Sequence, residues 1–337
     1  MPTQELNPVD LKPFDGWVYL SDFRESVPFG NKIIETEALF FQHSEYGRIC
    51  GASAGFDRSD LKSKYELIER ACLARLIHDQ FPKQFLTRDP FTAEDLSLVE
   101  FDDVFPPPKQ SAVHATSNGV ALHETWQLAC RAAALELVER HAVLESWDGV
   151  GRPQRVAQSM SLFFNMAIEE DYEYETFFIG QYQTNLNDSE IFVYVCLLYP
   201  KDVAHRAQII GMGAGYSNED AQLKAEEEAL QRYGFLYDMV LPSEIEPSPT
   251  QAYHQNFHLI PKNHWQIRSW LDGMFYVECS ARERINMEFV DLTNSFCYGY
   301  HLVKAISKNV QELYYGVSTS NLSKQNYSDS DFVHPIP

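Results

Sequence analysis

Between residues 111 and 147 the pattern of apolar and polar positions changes period. Alternation over Ala112, Val113, His114 and Ala115 predicts a short strand, Ser117-Asn118-Gly119 a turn, and the run beyond it a long helix. In that helix Leu135, Leu137 and Val138 are available to a core, while Glu136, Glu139 and Arg140 form a charged face. At about 100° per residue, Glu136 and Arg140 lie roughly 40° apart and Glu139 about 60° to the side. The plan recurs twice. Residues 51–70 carry a glycine turn and then a helix with Glu66, Glu69 and Arg70; residues 211–232 carry another with Glu228, Gln231 and Arg232. Seven positions before the first glutamate of each helix stand Ser59, Ala129 and Ala221, all small. This is an internal repeat, but its spacing of 70 and then 92 residues is too uneven for a solenoid. It fits one site assembled from three related helices.

Around these units the pattern predicts strands at residues 17–20 and 38–41, with a turn at Pro28-Phe29-Gly30. The first repeat helix runs over 59–78, with Asp57 or Ser59 as its N-cap. Residues 88–110 read as a loop rich in acids and prolines, and 154–188 reads as helix or strand. Residues 191–199 and 207–212 read as adjacent strands leading into the third helix, which ends near Val240. The segment 242–250, PSEIEPSPT, reads as a linker, and strand-like runs follow at 275–279, 287–292, 300–306 and 313–317. A polar stretch, 321–331, closes on Phe332-Val333-His334-Pro335-Ile336-Pro337, which reads equally as a rigid end that docks or as a loose tail. The expected division is 1–48 as N-terminal strands, 49–241 as the core with the three helices, 242–251 as linker and 252–337 as a β-rich part with a proline-rich tail, all in one integrated unit.

Charge narrows the function. Across 337 residues, 48 acidic side chains face 27 basic ones, a net charge of −21 that argues against a nucleic-acid partner. The N-terminus lacks a basic region followed by an apolar one, and the apolar run 191–199 is too short to span a bilayer, so no membrane role is expected. Six scattered cysteines without a C-x-x-C pair fit free thiols in a reducing, cytoplasmic setting. No Walker loop, G-x-G-x-x-G fingerprint, H-E-x-x-H helix or G-x-S-x-G elbow is present. Five glutamates gathered by three helices would repel one another, and Mg²⁺, a hard cation that favours oxygen ligands and phosphates, is their natural counterion. The glycine turns at Gly51/Gly55, Gly119 and Gly213/Gly215 are expected to offer backbone N–H groups to phosphates.

The E-x-x-E-R helices with a third E-x-x-Q variant resemble the YcaO family. The resemblance extends through Val290-Asp291-Leu292-Thr293, Gly299-Tyr300-His301-Leu302-Val303-Lys304-Ala305 and Tyr315-Gly316 to the His334-Pro335-Ile336-Pro337 ending, which is similar to the azoline-forming branch. It implies an α+β fold with three glycine-turn and helix repeats packed on mixed β-sheets. It also implies an ATP- and Mg²⁺-dependent cyclodehydratase that converts Cys, Ser or Thr of a ribosomally made precursor peptide into thiazoline or oxazoline, as in antibiotic biosynthesis. Glu66, Glu69, Glu136, Glu139 and Glu228 would hold the metal. Arg70, Arg140, Lys224, Gln231 and Asn118 would contact the nucleotide. Catalysis would fall to Glu136, Glu139 and the terminal carboxylate of Pro337. Departures from the family pattern are Leu122-His123-Glu124 where Ala-Gly-Asn is usual, Leu128 at an acidic position and Lys62 at a serine. The partners implied are the precursor peptide, a leader-binding subunit (ThiF-like or winged-helix) and a flavin-dependent azoline dehydrogenase, in a homodimer or hetero-oligomer. The competing readings are a thioamide- or amidine-forming relative and a non-catalytic scaffold subunit.

Overall fold

The computed structural model describes residues 16–56, 60–107, 112–157, 161–163, 168, 171–186, 189–276, 284–311, 313–316 and 333–336. The chain opens with three strands, β1 (Trp17–Phe29), β2 (Lys32–His43) and β3 (Gly47–Gly55), followed by helix α1 (Asp60–Asp79). Then come β4 (Gln84–Arg88), β5 (Asp95–Glu100), the short turn of helix α2 (Phe101–Val104), β6 (Ala112–His114), β7 (Val120–His123) and α3 (Trp126–Trp147). Strands β8 (Gln154–Arg155), β9 (Tyr172–Gln183), β10 (Glu190–Pro200) and β11 (Ile209–Gly215) lead into α4 (Asn218–Leu236). The remainder is α5 (Gln251–Phe257), α6 (His264–Leu271), β12 (Glu288–Asp291), β13 (His301–Ile306) and β14 (Tyr314–Gly316). The fold is α+β, as expected, but every pairing between these strands is antiparallel, so the sheets are not mixed.

Each repeat helix anchors one part of the apolar interior. Leu67, Ile68, Leu73 and Leu76 of α1 pack with Phe85 of β4 and Val290 and Leu302 of β12 and β13. Helix α3 lies in the largest cluster, where Leu137, Val138, Val143 and Leu144 meet β9, β10 and β13, each such side chain stabilising the fold by about 1.5–3 kcal/mol. Helix α4 contributes Ala221, Ala225, Ala229 and Tyr233 to a third cluster with β1, β9, β10 and β11. Thr125 and Ser217 cap α3 and α4 by accepting from the main-chain N–H three residues on, which satisfies a donor the first helical turn leaves open.

The glycines do something other than expected. Gly51 and Gly55 lie within β3, and Gly211, Gly213 and Gly215 within β11. Of the glycines expected in the repeat turns, only Gly119, at φ +69°, sits in one. On β11 the three glycines alternate onto one face, and Ala221, Ala225 and Ala229 of α4 lie directly over them. A Cβ on Gly211 or Gly213 would run into the main chain of α4, and one on Gly51 would meet the Ser63 carbonyl oxygen and, at 2.9 Å, Leu67 N of α1. Strand glycine against helix alanine therefore lets backbone rest on backbone. These residues seat helices; they do not form the phosphate-binding turns anticipated from the sequence.

The five-stranded sheet runs β5-β4-β12-β13-β7, so strands from either side of 242–251 interleave. Residues 95–104, expected as loop, form β5 and α2, and 251–271, within the part expected to be β-rich, forms α5 and α6. Beyond the second turn the chain makes β7 before α3 begins. Residues 333–336 are buried, with Ile336 fully enclosed, so this end docks. The candidate N-caps Asp57 and Ser59, the tail 321–331 and Pro337 lie outside the described residues. Among the described residues no helix is long and apolar enough to cross a membrane.

Candidate active site

The first glutamate of each repeat helix reaches back to the strand or turn that precedes it. Glu66 Oε2 accepts from Ala52 N at 2.7 Å, and Glu228 Oε2 accepts from Met212 N at 2.8 Å. Glu136 accepts from the N–H of Gly119. The repeat read from sequence is thus also a repeat of geometry: one carboxylate per helix, oriented by one main-chain donor beside a glycine. Glu69 reaches across to the second unit, where its Oε2 accepts from Leu122 N of β7 at 3.2 Å. Arg70 pairs with Glu66. Arg140 stands 3.9 Å from both Glu136 and Glu139, one turn apart on α3.

The five carboxylates form one electrostatic group. Burial pushes the Glu69 carboxyl up to about 8, and the charges of Glu136 and Glu66 push the same way against Arg70. Glu139 is also raised to about 8 by burial, then by Glu228 and Glu136 against Arg140 and Lys224. Glu136 is raised by burial, but Arg140, Lys304 and the Gly119 N–H oppose that, while Glu228 adds to it. The chain of influence runs Glu66–Glu69–Glu136–Glu228–Glu139, joining all three helices. Arg140 loses hydration in this crevice, yet Glu136, Glu139 and Glu228 overcome that loss and hold its pKa above the ordinary guanidinium value.

The other predicted residues fall around this group. Lys224 Nζ donates to Ala214 O at 3.2 Å and to Asp220 at 2.9 Å. Gln231 Oε1 accepts from Lys62 Nζ at 3.3 Å, which ties α4 to α1. Asn118 is buried in the turn, and among the described residues its Oδ1 accepts no hydrogen bond. Two residues named in the sequence patterns were given no site role. Arg232 donates to Ile210 O of β11 at 2.7 Å and lies within electrostatic reach of Glu228, while burial, partly offset by Glu228, lowers its pKa. Lys304, buried on β13, senses Glu136; in the sequence nothing separates it from a surface lysine. The docked end lies close by: His258 Nε2 bonds Val333 O at 2.7 Å, the His334 ring lies against that of His254 with centroids 4.2 Å apart and planes tilted by 46°, and Arg140 acts on His334.

Among the described residues, no three His, Cys, Asp or Glu side chains converge tightly enough to form a metal-binding group. The carboxylate oxygens point instead at main-chain N–H groups and arginines, which keeps the like charges apart. The donor set nevertheless fits a hard divalent cation: the gathered groups are all carboxylates, and burial together with neighbouring like charge raises two of them to about 8, a penalty that a cation would relieve.

A family model described as YcaO cyclodehydratase, ATP- and Mg²⁺-binding, matches residues 95–296, more than half of the chain. Among curated proteins none matches. Of solved structures, the YcaO of Methanopyrus kandleri bound with AMPPCP and Mg²⁺ superposes with a TM-score of 0.57 at 16% identity, covering 87% of this chain and 86% of that one. The E. coli microcin synthetase McbBCD complex with pro-MccB17 bound gives a TM-score of 0.60 at 12% identity, covering 96% of this chain and all of the matched one. The same synthetase complex in a second structure gives 0.52 at 12% identity over 84% and 87%. At such identities the likeness to these structures speaks for the fold.

Proposed function

Because the chain belongs to the YcaO family of ATP- and Mg²⁺-binding enzymes, we propose that it is a peptide cyclodehydratase that closes Cys, Ser or Thr onto the preceding amide. The observation that carries this reading is the convergence of Glu66, Glu69, Glu136, Glu139 and Glu228 from three helices into one electrostatic group around Arg140. In the reaction a side-chain thiol or hydroxyl adds to the carbonyl carbon before it, and loss of the carbonyl oxygen leaves a thiazoline or oxazoline. ATP supplies the phosphoryl group that makes that oxygen a leaving group, and Mg²⁺ the charge that steadies the transfer.

The chain's own residues orient and compensate. Glu66, Glu69, Glu136, Glu139 and Glu228 are assigned to the metal, with backbone donors fixing four of the five. Arg70, Arg140, Lys224, Gln231 and Asn118 are assigned to the nucleotide; the Oδ1 of Asn118, buried and without a hydrogen-bond donor among the described residues, is an acceptor available to it. Glu136 and Glu139 lie beside the reacting centre. The carboxylate of Pro337, one residue beyond the enclosed Ile336, is assigned as proton acceptor. The core 49–241 and the part after the linker are proposed to act as one unit, which the interleaved five-stranded sheet supports. The substrate is a ribosomally made precursor, presented by a separate leader-binding subunit in a cytoplasmic complex; the likeness to a chain of the peptide-bound synthetase supports that arrangement.

Titration calorimetry of Mg·ATP into wild type and Glu136→Gln tests the site without peptide or partner. Magnesium-dependent binding that the substitution abolishes is expected. Absence of binding, both by the folded protein and by its copurified complex, would establish a scaffold subunit instead. Loss of one water per Cys, Ser or Thr in the precursor then identifies ring closure, whereas exchange of oxygen for sulfur would identify a thioamide-forming enzyme.

A further inference from the structure

We infer that Lys304 is a positioning residue for this site, holding the 115–119 turn in the shape that presents Gly119 and Asn118 to the carboxylates; the inference rests on the nucleotide-site reading above. Lys304 projects from β13 and is almost fully enclosed. Its Nζ donates to Thr116 O and to Asn118 O, both at 2.9 Å. It also lies 5.3 Å from the centroid of the Phe105 ring, within range of a cation–π contact. The adjoining main chain completes the clamp: Ala305 N donates to Gly119 O at 2.8 Å, and β13 pairs Lys304 with Val120.

Gly119 has little freedom to do otherwise. At φ +69° it occupies the left-handed region, and a Cβ there would stand 2.9 Å from Ala305 O and 3.3 Å from Leu137 Cβ. The turn is therefore pressed between β13 and α3. Its Gly119 N–H faces the Glu136 carboxylate, and the buried Asn118 side chain keeps its Oδ1 unshared.

Burying an ammonium group is costly unless it is hydrogen-bonded and electrostatically matched. A neutral donor would tie the same two carbonyls at less cost. What a lysine adds is a fixed positive charge at the turn, acting on Glu136 in addition to Arg140. Both carbonyls it holds belong to the main chain of the turn, so its influence on the site is assigned to the turn and to the field.

The test uses the full-length protein with Mg·ATP as probe. Lys304→Met removes donors and charge, Lys304→Gln keeps a donor, and Lys304→Arg keeps both. The expected result is Mg·ATP affinity weakened about ten-fold or more in Met, the size of losing hydrogen bonds from a charged group, and restored to within about two-fold in Arg. Gln should fall between, and amide exchange at Gly119 should accelerate in Met. If Met fails to fold, the Gln-to-Arg comparison decides, since both can reach the turn and only one is charged. Folded Met or Gln variants that bind Mg·ATP like wild type overturn the inference and leave the site reading intact. Wild type that binds none, both alone and as its copurified complex, overturns both.

Discussion

Helix α4 rests on β11 by main-chain contact, and Gly213→Ala probes that seat. A Cβ on Gly213 would stand 2.8 Å from the Lys224 carbonyl carbon and nearer still to Ala225 N and Ala221 O, where ordinary contact begins at 3.4 Å. All three atoms are helix backbone, so no side chain can rotate to make room and α4 must retreat by about 1 Å. A gap of that size forfeits roughly a quarter to a half of the dispersion energy across the contact. Overfilling a packed interior costs about 1–3 kcal/mol, and trading glycine for alanine in a strand returns about 0.5 kcal/mol. The expected loss is about 2 kcal/mol, seen as a lower urea midpoint at unchanged slope. Mg·ATP affinity should fall with it, because Glu228 and Lys224 travel with the helix while Met212 N and Ala214 O do not. Gly47→Ala is the control: nothing lies within 4 Å of its Cβ, but φ is +81°, so it should cost about 1 kcal/mol through backbone conformation and spare binding. Wild-type stability in Gly213→Ala, or lost stability with affinity intact, would refute the seat as the device that places Glu228.

Two further outcomes are expected. Burial holds His254 and His264 down at about 4 and His258 at about 3, so the fold keeps them neutral while the unfolded chain takes up protons below 6.5; their contribution is whole above 6.5 and lost as pH falls. Glu69 and Glu139 run the other way, whole below 4.5 and lost as pH rises through 8. The melting temperature of nucleotide- and metal-free protein should therefore peak near pH 6.5 and fall toward 8.5, with Mg·ATP flattening the alkaline limb; a rise across that limb would contradict the shifts. Ile336→Ala removes a fully enclosed side chain at a local cost of about 2–4 kcal/mol. It should free the C-terminal end and cut precursor turnover at least about ten-fold while Mg·ATP affinity holds; undiminished turnover would detach Pro337 from the chemistry.

The carboxylate site was legible because helical phase is visible in sequence: Glu66, Glu69, Glu136, Glu139 and Glu228 needed only their spacing to be grouped. The glycines were legible as repeats but not as seats, because glycine in a turn and glycine under a helix read alike. The signal lay in the partners, Ala221, Ala225 and Ala229 at intervals of four, matched to Gly211, Gly213 and Gly215 at intervals of two. Strand β5 escaped because Leu96 and Leu98 are both exposed, so no buried face marks it. Helices α5 and α6 are short and rich in aromatic and histidine side chains that favour neither state strongly. Glu226 shows the limit of spacing: two residues from Glu228, it is buried as a structural acceptor for Leu162 N, Thr176 and Gln222. Lys304 stood in a family-like run, but its hold on the turn shows only where β13 meets Thr116 and Asn118.

The strand order β5-β4-β12-β13-β7 also sets when the enzyme can exist during its own synthesis. Strand β7, whose Leu122 N–H holds Glu69, has β13 as its sheet neighbour, and β4 is joined to it only through β12 and β13. Those late strands are translated well after all three glutamate helices. A nascent chain that has not yet made β12 and β13 carries every carboxylate and the early donors to Glu66 and Glu228, but lacks the strands that join β7 to β4, so the placement of Leu122 against Glu69 is braced last.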